Sequence, residues 1–252
     1  MLIAEHPADV GTFFAGGHPV NLMRVAIVTV GDELLAGETV NSNAAWLGAR
    51  LADRGVAIER VVTLPDRIAD IARVVNEYYA EYDAVLVTGG LGPTHDDLTM
   101  DGVAAAFGRG LEESEEAIAW LAEHGGYAAD DLAAGTAHLP ADARVLHNEA
   151  GVAPGCVVES VYVLPGVPEE MKAMFEGIVE EFTGEARYVE SVVTTEPESA
   201  LLDRFERVQR EFDVKVGSYP NENVRIRVES ADEEVVERAI AWLRERVDLA
   251  DA

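Results

Sequence analysis

Three apolar, β-branched runs, residues 24–30, 84–88 and 161–164, each end in a glycine-bearing loop, and each loop leads toward a segment with helical periodicity. The first run, Val25, Ala26, Ile27, Val28, Thr29 and Val30, shows no polar alternation. A strand built from it is buried on both faces, as in a parallel sheet covered by helices. Between the runs, apolar residues recur three and four positions apart. Ala44, Leu47 and Leu51 form one such face, Ile68, Ile71, Val75, Tyr78 and Tyr82 another, and Met171, Met174, Phe175, Ile178 and Phe182 a third. This alternation predicts right-handed βαβ crossovers and a three-layer α/β domain around a mainly parallel sheet.

The remaining segments fill in that plan. Residues 56–63 read as a strand, 66–81 as a helix, and 98–107 as a helix with Val103, Ala104 and Phe107 inward. Ser114 offers an N-cap for a helix to about residue 124, although Ala117 stands where a capping box has Glu or Gln. Short strands are expected at 145–146 and 156–158, and residues 125–142 give no clear pattern. Near Thr183 and Gly184 the pattern changes to β-α-β-β-α over residues 189–247, a small α+β unit. The expected organisation is a loose extension over 1–22, a main domain over 23–184 and a small domain over 185–252. Residues 1–22 carry Pro7, Gly11, Gly16, Gly17 and Pro19 without period, and Met23 abuts the first strand, so the extension is expected to be dispensable.

Charge narrows the partners. There are 47 acidic against 19 basic residues, a formal net charge of -28, and the lysines are Lys172 and Lys215. Such a surface repels nucleic acid and anionic lipid, so neither is an expected partner. Disorder is argued against by the 48% hydrophobic content and the periodic segments. A halophilic cytoplasm is the expected setting, because molar salt shortens charge repulsion to about 3 Å. Cys156 is the single cysteine, which excludes an intramolecular disulfide framework. No apolar run approaches the ~20 residues of a membrane span, and no signal-peptide pattern opens the chain.

Ligands of open α/β sheets sit at the carboxyl ends of the strands, where the three glycine loops fall. The first loop runs from Gly31 through Asp32 and Glu33 to Gly37, with Asn41 and Asn43 downstream. The second carries Gly89, Gly90, Leu91, Gly92, Pro93 and Thr94 before Asp96 and Asp97, and the third is Leu164, Pro165, Gly166, Val167 and Pro168. Glycines let a phosphate approach the backbone closely. Asp96 and Asp97 would repel that phosphate unless a hard divalent cation bridged them to it. The plainer alternative is that both only cap the next helix. Asp32 and Glu33 either join the same site or form a solvated acidic turn. Asn41 and Asn43 either bind ligand or act as N-caps, and Pro168 also suits a first helical turn. His95 reads as an exposed loop residue and Cys156 as a small strand residue.

Taken in order, four motifs resemble the CinA family: Gly31, Asp32, Glu33, Gly37, Asn41 and Asn43; Thr88 to Thr94 with Asp96 and Asp97; Asn148, Gly151 and Ala153 to Gly155; Leu164 to Pro168 with Glu170 and Met171. The resemblance runs from about Arg24 to Phe182. It implies the MoaB/Mog fold, whose members bind molybdopterin and in some cases adenylylate it. CinA-type amino-terminal domains are instead associated with metal-dependent hydrolysis of ADP-ribose-like pyrophosphates. The expected ligand is therefore a phosphorylated pterin, such as molybdopterin, or a nucleotide, with Mg, Mn or Co as the divalent metal. Asp96 and Asp97 are the expected catalytic and metal-holding groups, with Asp32 as a further metal ligand. Gly31, Asp32, Glu33, Asn41, Asn43, Thr88, Gly89, Gly90, Gly92, Pro93, Thr94, Gly166 and Pro168 are the expected ligand-binding residues. A molybdopterin-binding protein of cofactor assembly and a non-catalytic nucleotide-binding module are the alternative functions, and a homo-oligomer is the expected assembly. CinA proteins usually continue into a nicotinamide-mononucleotide deamidase domain, which these 252 residues do not contain, so deamidase activity is not expected.

Overall fold

The computed structural model describes residues 23–92, 94–125, 135–185 and 187–250; the expected extension over 1–22 and Pro93 lie outside them. The first half of the chain gives β1 (Arg24–Val30), α1 (Asp32–Leu35), α2 (Ser42–Ala52), β2 (Ala57–Leu64), α3 (Ile68–Glu81), β3 (Ala84–Gly89) and α4 (Thr99–Ala106). Then come β4 (Leu111–Glu113), α5 (Glu115–Trp120), β5 (His138–Pro140), β6 (Arg144–Leu146), β7 (Gly155–Val158), β8 (Val161–Pro165) and α6 (Pro168–Ile178).

These strands form a six-stranded sheet in the order β2-β1-β3-β8-β7-β6. Its first three pairings are parallel and the last two antiparallel. The period of two along each strand divides the core into two. Val25 and Ile27 of β1, Leu86 of β3 and Leu164 of β8 pack with Leu47 and Leu51 of α2 and Met171 and Phe175 of α6. Ala26, Val28, Val85, Val87 and Val163 turn to the other face and pack with Ile71 and Val75 of α3 and Met100 and Val103 of α4. The apolar runs are thus buried on both faces, and the result is three layers. Truncating a residue such as Leu86, fully buried between layers, costs about 2–5 kcal/mol.

The remainder, β9 (Tyr188–Thr194), α7 (Leu202–Phe212), β10 (Lys215–Pro220), β11 (Val224–Ser230) and α8 (Glu233–Arg244), follows the expected β-α-β-β-α order. Its antiparallel sheet, ordered β10-β11-β9, packs Ile226 and Val228 against Val208 of α7 and Ile240 and Leu243 of α8.

Three local differences have physical causes. The helix expected from residue 66 begins at Ile68, because Arg67 is still extended and the Asp66 side chain accepts the amide of Asp32. Ser114 caps α5 by accepting the amide of Ala117, despite the missing capping-box partner. Around the illegible 125–142 stretch, β5 pairs with β4 in a two-stranded sheet of three-residue strands, too short to show alternation. No helix among the described residues is long and apolar enough to cross a membrane.

Candidate functional site

Because β1, β3 and β8 are neighbours in the parallel part of the sheet, their three loops open side by side at one edge. They surround a cavity of about 490 Å³ lined by Gly31, Glu33, Gly90, Gly92, Asp96, Asp97 and Gly166 among others. A smaller adjoining recess of about 80 Å³ is lined by Glu33, Asn41, Asn43, Thr88, Gly166 and Pro168.

The second loop is shaped by Asp97. Its carboxylate accepts the Thr94 amide at 3.1 Å and the Thr94 hydroxyl, and it lies so close to Gly90 that a Cβ there would stand 1.8 Å from Oδ1. Gly92 takes a φ of +99°, the region that favours glycine. Helix α4 starts only at Thr99, with Leu98 as N-cap and no side-chain cap hydrogen bond. Neither Asp96 nor Asp97 therefore caps it. Asp96 is exposed beside the almost fully exposed His95. Thr94 serves as donor to Asp97, while Gly89 is buried at the end of β3.

The two asparagines separate in role. Asn41 is the N-cap of α2, accepting the Ala44 amide and donating to Thr29 Oγ1 at 2.9 Å. Asn43 is no cap. It is buried, and its Nδ2 donates to the Gly166 carbonyl at 2.7 Å and to Thr88 Oγ1 at 3.2 Å. Thr88 in turn donates to the Pro165 carbonyl at 2.6 Å. Asn43 Oδ1 has no hydrogen-bond partner among the described residues. Pro168 sits in the first turn of α6, whose amino end opens onto the cavity through Val167 and Glu170.

Asp32 is placed differently from expectation. Its side chain is exposed and lines neither space; its amide instead donates to Asp66 Oδ2 at 2.9 Å. Asp66 is the acid that faces the cavity, and sequence reasoning missed it. The available signal was its place two residues past β2, at the same sheet edge but in a loop without glycine. Burial holds the Asp66 carboxyl above its ordinary range, and the nearby charges of Asp32, Glu33 and Asp96 add to the rise. Gly151, Ala153 and Glu170, which carried the resemblance without a site role, also line the cavity. Cys156 is buried, with its thiol pushed up to about 12 by desolvation.

Five carboxylates therefore line the cavity, Glu33, Asp66, Asp96, Asp97 and Glu170, and no lysine or arginine is among the described lining residues. The donors are the hard oxygens that Mg²⁺ or Mn²⁺ prefers. Yet among the described residues no group of three or more His, Cys, Asp or Glu side chains converges on one point. That donor set fits a cation held by one or two carboxylates together with phosphate oxygens, and not an all-protein cage.

Sequence comparison places this geometry among known proteins. A family model described as "Probable molybdopterin binding domain" matches residues 26–184, and one described as "FAD synthase, middle domain" matches residues 186–250. A protein from Archaeoglobus fulgidus is 36% identical over 225 residues, 88% of this chain and 97% of the relative. A CinA-like protein from Citrifermentans bemidjiense is 36% identical over 244 residues, and the match spans 89% of this chain and 58% of that longer protein. The crystal structure of a CinA protein of unknown function from Thermoplasma acidophilum matches at 36% identity and a TM-score of 0.59, over 64% of this chain and 99% of that one. The model matching more than half the chain and the CinA relatives agree with the four motifs and the layered sheet: the chain belongs to the MoaB/Mog molybdopterin-binding-domain family, of the CinA type.

Proposed function

We propose that this protein binds a phosphate-bearing pterin or nucleotide at the sheet edge, and that it takes the ligand together with a divalent cation, Mg, Mn or Co. The observation that carries this is the all-acidic lining of the cavity. A phosphate charge about 4 Å from one carboxylate meets a repulsion of about 4 kcal/mol at an effective dielectric of 20. Asp97, with Asp96 or Asp66, would hold the cation, which supplies charge neutralisation and, in a hydrolytic setting, Lewis acidity. Gly92, with open space where a side chain would stand, lets phosphate oxygens reach the backbone of the second loop, and the amino end of α6 favours the anion from the third loop. The unpartnered Asn43 Oδ1 is free to accept a ligand N–H or O–H in the smaller recess.

Membership in a family described as a probable molybdopterin binding domain favours a molybdopterin-like ligand. Hydrolysis of an ADP-ribose-like pyrophosphate is a second reading, favoured by Asp66. Its carboxylate faces the cavity with raised basicity and takes no ion pair with lysine or arginine among the described residues, which suits a proton acceptor. Calorimetry with ADP-ribose and with molybdopterin, at high KCl with Mg²⁺, Mn²⁺, Co²⁺ or EDTA, tests both readings. Binding is expected only with the divalent cation, and product release from ADP-ribose marks the hydrolytic case. Equal binding in EDTA overturns the cation-bridged site.

A further inference from the structure

Gly151 lines the main cavity and also a second recess of about 320 Å³, whose other described walls are Trp120, His124, Asn148 and Glu149. Two features of this recess bear on a ligand. The first is a stack of rings at the carboxyl end of α5. Trp120 lies on His124 at 4.8 Å between centroids with 14° between planes, and on His147 at 5.0 Å with 7°. His124 is exposed, so one end of the stack is open to solvent.

The second is Asn148, only 2% exposed. Its Nδ2 donates to the Ala153 carbonyl at 2.9 Å and to Glu170 Oε2 at 2.7 Å. Both partners are acceptors, which fixes the amide orientation and makes the remaining atom a carbonyl oxygen. That oxygen, Oδ1, is buried without a hydrogen-bond partner among the described residues. A buried acceptor left in this state is costly, and a donor from outside the chain removes the cost. Glu170 ties the recess to the main cavity: it lines the cavity, accepts from Asn148, and packs on Gly151 so closely that a Cβ there would stand 2.3 Å away.

Stacked planar rings beside an unpartnered acceptor form a complement to a planar nitrogen heterocycle with N–H donors. We propose that the Trp120 recess takes the amino-bearing heterocycle of the ligand, stacked on the open face of the His124 ring that Trp120 backs, with an N–H given to Asn148 Oδ1. Adenine and the pterin ring share that chemistry. The link between ring and phosphate rests on the reading of the main cavity above; the ring recess is tested by itself.

Equilibrium dialysis with adenosine and with an unphosphorylated pterin, without divalent cation, provides the test. The wild type is expected to bind one of the two rings, and the better binder identifies the base. Base–aromatic stacking is worth about 1–3 kcal/mol, so His124→Ala, which removes the open face, is expected to weaken ring binding about ten-fold or more, and Trp120→Leu, which removes the ring backing it, to weaken it as well. Trp120→Phe, which keeps an aromatic ring in that place, should weaken it less. His124→Ala alters an exposed side chain and decides the matter should Trp120→Leu not fold. Failure of the wild type to bind either ring, or wild-type affinity in both Trp120→Leu and His124→Ala, overturns the proposal. Inorganic pyrophosphate with Mg²⁺ reports on the other cavity: it should bind Trp120→Leu and wild type alike. Its failure to bind the wild type would sink the phosphate reading while the ring result stands.

Discussion

Asn43 and Gly166, 123 residues apart in the chain, are joined by a 2.7 Å hydrogen bond from the asparagine Nδ2 to the glycine carbonyl. The same Nδ2 reaches Thr88 Oγ1, which donates to the Pro165 carbonyl. One buried amide at the start of α2 therefore fixes the ends of β3 and β8 relative to each other.

Replacing Asn43 with alanine removes both donations and leaves the Gly166 carbonyl without this donor. A loss of about 1–3 kcal/mol is expected, readable by denaturant titration in molar KCl. Ligand affinity should fall as well, since the first and third loops lose their common anchor. A stability within experimental error of the wild type would show that the clamp carries no weight.

The layered core was legible because it depends on local period. The neighbouring order of β1, β3 and β8 emerges only in the structure, whereas residues such as Val25 to Val30 state their two-sided burial in the sequence. The glycine loops were legible for the same reason. What could not be read were pairings between distant, featureless segments. β4 and β5 are three residues each, Asp66 sits in a loop without glycine, and the Trp120 stack joins residues from 120 and 147 that no spacing rule connects. Asn43 was singled out, but as a ligand contact or a cap; its role in crossing the sheet edge exists only in three dimensions.

The acid at the cavity wall gives a pH dependence with a definite sign. Asp66 is held above its ordinary carboxylate range mainly by burial, with Asp32, Glu33 and Asp96 adding and the Asp32 amide opposing. A group raised in the fold contributes stability below its unfolded value and loses that contribution as pH rises through the folded one. At neutral pH the ionised Asp66 is thus a destabilising charge. Asp66→Asn should melt higher than wild type at pH 7, and the gap should close toward pH 4. A variant that is less stable at pH 7, or a gap independent of pH, contradicts this.

The net charge of -28 predicts a strong salt dependence. Screening shortens from about 10 Å at 0.1 M to about 3 Å at 1 M, which relieves repulsion among surface carboxylates. Melting temperature should therefore rise from 0.1 M to 1 M KCl and continue upward in the molar range. Cys156 offers an independent reading: buried and with its thiol pushed up to about 12, it should resist alkylation at pH 8 in molar KCl and become labelled as salt is removed. A flat melting profile together with unchanged labelling would remove the halophilic expectation.

Asp97 and Gly90 provide the sharpest separation of structure from chemistry. Asp97 does not cap α4, since Leu98 takes that position without a side-chain bond. Its carboxylate instead holds Thr94 and presses on Gly90. Asn in its place retains an oxygen for the Thr94 donors, so the loop should persist with a melting temperature close to wild type. What is lost is one negative charge at the cavity wall. If Asp97 holds a cation against a phosphate, Asp97→Asn should lower the affinity for Mg²⁺–pyrophosphate by ten-fold or more. Gly90→Ala approaches the same carboxylate from the opposite direction: its methyl would stand 1.8 Å from Oδ1 and must displace it. That variant keeps every charge but moves one, so it should match Asp97→Asn in lost affinity while also losing some stability. Calorimetric titration and thermal melting on the same preparations distinguish the outcomes. Wild-type affinity in both variants, with the fold intact, would leave Asp97 as a loop-forming residue and return the cation to other carboxylates of the cavity.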